Sequence, residues 1–172
     1  KLGGRSAGLS SDTLGRALSV IDGKSGGKAP LGAGYYIEKS GGKVAILKEE
    51  SRRPAVELKV PGKTKIAPDG ALLKATVRPR EAVGGFDATN RSAFLDMHKM
   101  KNIRVRFWKP GDKMRPLGMT GRRLLSDIFI DKRIPEFERR SIPLVLSGNK
   151  IAWIAGVAIS DDFKITKDTE KV

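Results

Sequence analysis

The 172-residue sequence predicts an α+β fold in two parts. Residues 1–91 read as one part, a short N-terminal helix followed by β-hairpins. Residues 92–172 read as a compact C-terminal domain of mixed α/β-sheet character. Three observations predict this. Short apolar segments punctuated by Gly, Pro and Asp fill the stretch from Lys28 to Pro79, the texture of hairpins. Apolar residues recur at helical spacing near the N-terminus and again at Leu124, Leu125, Ile128 and Phe129. No self-similar period of about 20–50 residues is present, which excludes a solenoid or a propeller.

In chain order, Asp12–Ile21 (DTLGRALSVI) predicts a helix. Ser10, Ser11 or Asp12 can cap it, Leu14, Leu18 and Ile21 share one stripe, and Gly23 stops it. Strand character follows in YYIEK, KVAILK, AVELKV, KTKIA and ALLKATV, and Arg80–Asn90, with Gly84-Gly85, reads as a linker or exposed loop. Ala93–Leu95 and Ile103–Phe107 are expected as strands, and Arg122–Asp131 as an amphipathic helix. Pro135–Arg140 is expected as a helical turn opened by Pro. Pro143–Leu146 and Ile151–Ala155 read as strands joined at SGNK, with Phe163–Thr166 as an edge strand.

The chain carries 34 Lys plus Arg against 19 Asp plus Glu, a net charge of +15, with 39% hydrophobic residues. That composition is too apolar for a disordered basic tail and points to a globular protein whose surface favours a polyanion, nucleic acid before an anionic membrane. No stretch approaches the roughly 18 apolar residues of a membrane-spanning helix. The start, KLGGRSAGLS, shows neither a signal core nor an initiator Met, so a fragment or processed product is expected. With no cysteine, disulfides and thiolate metal sites are excluded. His98 and the scattered carboxylates give no metal-ligand spacing, so no metal is expected.

KSGGK occurs twice, at Lys24–Lys28 and Lys39–Lys43. A phosphate-cradling loop must leave a strand and open a helix, so that free N–H groups and the helix dipole meet the phosphates. The first copy leaves a helix for a strand and the second joins two strands. Both are therefore read as turns. His98 has no nucleophile signature nearby, and the adjacent pairs Glu49-Glu50 and Asp161-Asp162 read as solvated charge. Trp153 reads as core within IAWIAG. For Trp108, between Arg106 and Lys109, core packing and base stacking stay open.

Charge is segregated. Residues 101–140 hold twelve Lys or Arg and five Asp or Glu, whereas residues 141–172 hold four of each. Clustering of this kind is the electrostatic footprint of a phosphate-binding face. Arg104 and Arg106 alternate along one strand face. Lys109, Lys113 and Arg115 lie in the loop KPGDKMRPLGMTG. Arg122 and Arg123 are expected at the first turn of the following helix, where cations are disfavoured unless an anion is also present.

This same stretch, RVRFWKPGDKMRPLGMTGRRLLSDIFIDKRIPEFERRSIPLVLSGNKIAWIAGVAISDDFKIT, resembles the C-terminal domain of the bacterial tRNA(Ile)-lysidine synthases. The shared pattern runs through Gly111-Asp112, Pro116–Met119, Gly121, Phe129–Asp131, Glu138-Arg139, Ile142–Leu144, Trp153, Gly156 and Phe163-Lys164. A weaker likeness covers RSAGLSSDTLGRALSVIDGKSGGKAPLGAG and Phe94–Asp96, with the first KSGGK as a helix-to-sheet turn.

The resemblance implies an enzyme family that uses ATP to activate the wobble cytidine of a CAU-anticodon isoleucine tRNA, to which lysine is then ligated. It implies that the family's S-G-G-x-D-S loop and its catalytic domain, with ATP and Mg, lie outside this chain. The chain is then expected to be a fragment of a carbon–nitrogen ligase, inactive alone, with no cofactor of its own. Its expected partners are the acceptor stem of that tRNA and its own N-terminal catalytic domain, in the cytoplasm and away from membranes. Leu124 and Ser126 stand where the family often carries lysine. Binding is therefore expected to lean on the loop and on Lys132, Arg133, Arg139 and Arg140. A stand-alone RNA-binding module of another RNA-processing protein remains the alternative, and a small enzyme with an unrecognised site a third.

Overall fold

The computed structural model describes residues 9–49, 54–66, 70–83 and 92–172. The chain divides into two units, residues 1–51 with 135–137, and residues 52–134 with 138–172. The architecture is α+β, as the sequence predicts.

In the first unit, α1 (Ser11–Asp22) starts at Ser10, whose side chain accepts the Thr13 N–H at 3.2 Å. Such a cap contributes about 1 kcal/mol. Three antiparallel strands follow, β1 (Lys28–Gly32), β2 (Tyr35–Ser40) and β3 (Lys43–Lys48), in sequential order. The helix does not present the expected stripe to them. Ala17 and Val20 are buried against Ala29, Ile37 and Leu31, while Leu14, Leu18 and Ile21 stay exposed. Ala17 and Val20 let α1 lie close on the sheet; the leucine stripe lies around the helix from this contact.

The two KSGGK copies are turns, and they bind each other. Gly41 and Gly42, at φ +59° and +78°, form the two-residue loop between β2 and β3, a geometry open to glycine without strain. The Gly26 N–H donates to the Lys39 carbonyl at 2.7 Å, and the Gly41 N–H donates to Ser25 Oγ at 3.0 Å. Lys39 Nζ in turn donates to the carbonyls of Ile21 (2.6 Å) and Gly23 (2.8 Å), a cation on the electronegative end of α1. Two of the amide groups a phosphate would need already have protein acceptors.

The second unit contributes β4 (Val56–Glu57), β5 (Gly62–Lys65), β6 (Leu72–Ala75), β7 (Ile103–Phe107), β8 (Lys113–Met114) and β9 (Arg123–Leu124). Then come α2 (Leu125–Asp131), α3 (Glu136–Arg139), whose first two residues belong to the first unit, β10 (Pro143–Ser147), β11 (Lys150–Ile154) and β12 (Ala158–Ile159). The main sheet runs β12-β11-β10-β7-β4, and β5–β6 and β8–β9 are separate hairpins. Alternation along β10 sends Leu144 and Leu146 to one face, with Met114, Leu125, Ile128 and Phe129, and Val145 to the other, with Leu58, Val105 and Trp153. A bulge on β11 opposes Val145 to Trp153 but Leu146 to Ile151. The extra residue, Ala152, lets both Ile151 and Ile154 reach the α2 face.

Four expected elements change. Ala93–Leu95 forms no ladder; its chain leads into a 3-10 turn at Met97–Lys99, begun by Asp96, whose side chain accepts the His98 N–H. Phe163–Thr166 is not a strand either. The pairing ends at β12, and Ser160 caps a 3-10 turn (Asp161–Phe163) that buries Phe163. Of AVELKV only Val56–Glu57 pairs, against Val105 and Arg104. Arg122 and Arg123 precede the helix, because Leu124 is extended (φ −63°, ψ 140°) and Arg123 pairs with Met114. Of the expected linker Arg80–Asn90, Arg80–Ala82 forms a 3-10 turn whose Arg80 N–H donates to the Glu170 carbonyl at 2.8 Å, while Gly84 onward, and Glu50, lie outside the described residues.

Candidate nucleic-acid interface

The loop between β7 and β8 is organised by one carboxylate. Asp112 Oδ1 and Oδ2 accept from Arg106 Nη2 and Nη1, both at 2.7 Å, and Oδ2 also accepts the Lys109 N–H at 2.9 Å. The side chains of Arg106 and Asp112 are only 17% and 13% exposed, so this fork is shielded from competing water. The Asp112 carbonyl accepts the Leu125 N–H at 2.9 Å, which satisfies one of the free donors at the start of α2. Helix, loop and strand are therefore fixed to one residue.

The next stretch is a type II turn. Met119 N–H donates to the Pro116 carbonyl at 3.0 Å, with Gly118 at φ +79° in the position that requires a left-handed residue. Asp161 Oδ1 accepts the Gly118 N–H at 3.0 Å and Lys164 Nζ at 3.0 Å. Those bonds, the Gly118 amide first and Lys164 next, outweigh desolvation and hold the Asp161 carboxyl below its ordinary range. Arg115 Nη2 lies between Asp161 Oδ2 (3.5 Å) and Asp162 Oδ1, with which it is in close contact. Asp161-Asp162 is thus not merely solvated charge; it clamps this turn.

The predicted cations divide into two sets. Arg106 and Arg115 are internally paired as described. Arg104 Nη2 donates to the Gly148 carbonyl at 3.1 Å, at the β10–β11 turn. Arg123 pairs with Asp131 at 2.8 Å, tying β9 to the end of α2. Arg139 Nε donates to the Ile134 carbonyl at 2.9 Å, with its guanidinium 6.0 Å from the Phe129 ring centre. Arg140 also has an intramolecular partner. By contrast, Lys109, Lys113, Arg122, Lys132 and Arg133 have exposed side chains with no ion-pair partner among the described residues.

The paired residues hold the unpaired ones in place. Lys113 lies opposite Leu124 on the β8–β9 hairpin, and the Arg123–Asp131 bridge joins that hairpin to the end of α2, where Lys132 and Arg133 follow. Arg133 takes φ +55° as the left-handed residue of a Schellman ending, with Ile134 N–H on the Phe129 carbonyl (2.9 Å) and Arg133 N–H on the Ile130 carbonyl (2.8 Å). An exposed arginine there is unusual, since glycine is the ordinary occupant. Trp108 packs edge-on against Phe129 at 5.8 Å and Trp153 lies in the core, so both rings are used in packing.

Asp112 and Asp161 are the organising residues that sequence reasoning missed as such. Asp112 was visible only as part of a motif. The Gly118 amide that Asp161 holds lies 43 residues away, with no local signal to disclose it.

Residues 103–172 match the family described as the TilS substrate C-terminal domain. A tRNA(Ile)-lysidine synthase of Clostridium perfringens is 52% identical over 78 residues, covering 45% of this chain and 17% of the relative. One from Caldanaerobacter subterraneus subsp. tengcongensis is 41% identical over 116 residues, covering 67% of this chain and 25% of the relative. The chain thus spans between about a sixth and a quarter of the length of these curated relatives. The crystal structure of a TILS C-terminal domain superposes with a TM-score of 0.59 at 26% identity, covering 69% of this chain and 90% of that one.

Proposed function

We propose, from the match of residues 103–172 to the TilS substrate C-terminal domain, that this chain is the tRNA-gripping region of a tRNA(Ile)-lysidine synthase. The observation that carries the reading is the set of exposed, unpaired cations, Lys109, Lys113, Arg122, Lys132 and Arg133, held by an internally paired framework. Fixed cations on a hairpin and a helix end suit the phosphates of an A-form stem, which is read by shape and backbone position more than by sequence.

On this reading Arg104, Arg106, Arg115, Arg123, Arg139 and Arg140 serve the interface mainly by shaping it. The target is the acceptor stem of the CAU-anticodon isoleucine tRNA, and the setting is the cytoplasm. The transfer of lysine to the wobble cytidine, with ATP and Mg, belongs to a separate catalytic domain on which this region docks. The KSGGK turns do not fit a nucleotide phosphate, since the Gly26 and Gly41 amides are spent on Lys39 and Ser25. No described helix is long and apolar enough to cross a membrane.

Phosphate-ethylation interference on that tRNA tests the assignment. Interfering phosphates should cluster in the acceptor stem, and Lys113→Ala with Arg122→Ala should lessen their effect. Interference spread evenly over the tRNA would leave only a generic polyanion binder.

A further inference from the structure

The β5–β6 hairpin carries a second group of cations, apart from the interface above. Residues 59–78 hold five Lys or Arg and one acid, Asp69, which lies outside the described residues. Register sets Lys63 directly opposite Lys74, and Lys65 opposite Leu72. Alternation turns Thr64, Leu73 and Ala75 inward, where Leu73 and Ala75 pack with Leu58, Val105 and Trp153. Lys63, Lys65 and Lys74 therefore share the outer face. Thr64 is buried, and its Oγ1 accepts the Lys59 N–H at 2.9 Å, which fixes the hairpin to the turn before it. All three lysines are exposed, and none of their ammonium groups has an ion-pair or hydrogen-bond partner among the described residues. Opposed side chains on one sheet face stand about 4.5–5.5 Å apart at Cβ and diagonal ones about 7–8 Å apart, and like charges so placed repel. Lysines that merely guard a strand edge need not face one another. Here the facing pair destabilises the hairpin, and an anion between the two removes that repulsion.

We infer that this face is a second phosphate-binding surface, which takes a stretch of RNA backbone other than the one held by Lys113 and Arg122. The inference rests on the RNA-binding reading above and adds a separate surface to it. Along β10, Leu144 and Leu146 pack with Met114 and α2, whereas Val145 packs in the cluster that holds Leu73 and Ala75. The two cation sets thus lie on opposite sides of the main sheet, and one straight stem cannot rest on both. Lysine ammonium groups meet phosphates as point charges and carry no sequence information. The hairpin has no aromatic side chain on which a base could stack, so the contact is with backbone alone.

The test titrates the full chain at low salt with a blunt RNA duplex of about one helical turn and counts the duplexes bound by sedimentation. The parent chain should bind two. For the weaker, log K should fall against log salt with a slope of about −2.7, roughly 0.9 for each of three phosphates. Lys63→Ala with Lys74→Ala should reduce the count to one and change the tighter site by less than about twofold, since the two surfaces are far apart. Lys74→Glu, which gives Lys63 an opposite charge, should raise Tm and still remove the second duplex, so that the loss cannot come from unfolding. One duplex on the parent, or two on the Lys63→Ala, Lys74→Ala variant, would overturn the second surface and leave the first standing. One duplex on the parent, with phosphatidylserine vesicles captured by the parent and not by the variant, would overturn it in favour of a membrane surface. No duplex on the parent would overturn the RNA-binding reading as well.

Discussion

Replacing Asp112 by Ala separates a shaped interface from a merely charged one. The substitution leaves Arg106, 17% exposed, without its carboxylate and strips the Lys109 N–H of its acceptor. Breaking a fully buried pair costs about 3–5 kcal/mol, and partial exposure of both partners reduces this. With the lost amide bond, a destabilisation of about 3 kcal/mol is expected. For a chain of this size that corresponds to a Tm lowered by roughly 6–12 °C in a thermal melt. Net charge rises from +15 to +16, because one carboxylate is removed. Charge alone would therefore tighten RNA binding. If the loop's geometry presents Lys109 and Lys113, filter binding should instead show Kd weakened at least fivefold, at temperatures where the variant is folded. Asp112→Asn, which keeps the shape but not the charge, should fall between. An unchanged Tm, or RNA binding as tight as in the parent chain, would refute the reasoning.

Three other substitutions have definite expected outcomes. Burial pushes the Asp96 carboxyl up, but hydrogen bonds from Thr169, Lys99 and the His98 N–H outweigh it and hold it below its ordinary value of 3.8. A depressed carboxyl stabilises the fold fully above its unfolded value, and the gain is lost as pH falls through the folded value. Asp96→Asn should therefore lower stability at neutral pH and flatten the loss seen below about pH 4 in denaturant titrations. In α1, Leu18→Ser, at a site 49% exposed, should change stability by less than about 0.5 kcal/mol. Val20→Ala, at a site 7% exposed, should cost about 1–2 kcal/mol by chemical denaturation.

What the sequence disclosed follows the range over which its signals act. The Ser10 cap, the KSGG turn of Gly41 and Gly42, and the SGNK hairpin are local, and each forms where its residues predict. The helix before Lys132 was legible from Leu125, Ile128 and Phe129. Its start was not, because pairing with Met114 draws Arg123 into a ladder that no local pattern announces. Periodicity found an apolar stripe on α1 but not which stripe the sheet would cover. At the candidate site, charge density marked a basic segment as a region of sequence. It could not tell the spent cations from the exposed ones, because that depends on acceptors such as Asp131, Asp161 and Asp162, which come from other elements.

The most direct test of the central claim is the salt dependence of tRNA binding by this chain. CAU-anticodon isoleucine tRNA, methionine tRNA and an unrelated hairpin would each be titrated at several salt concentrations. If the five exposed cations contact phosphates, log K should fall linearly against log salt, with a slope of about −4.5 for a duplex. Removing Lys113 and Arg122 together should reduce that slope by nearly 2, and the isoleucine tRNA should bind tightest. A slope unmoved by those substitutions, or no binding at low salt, would contradict the account.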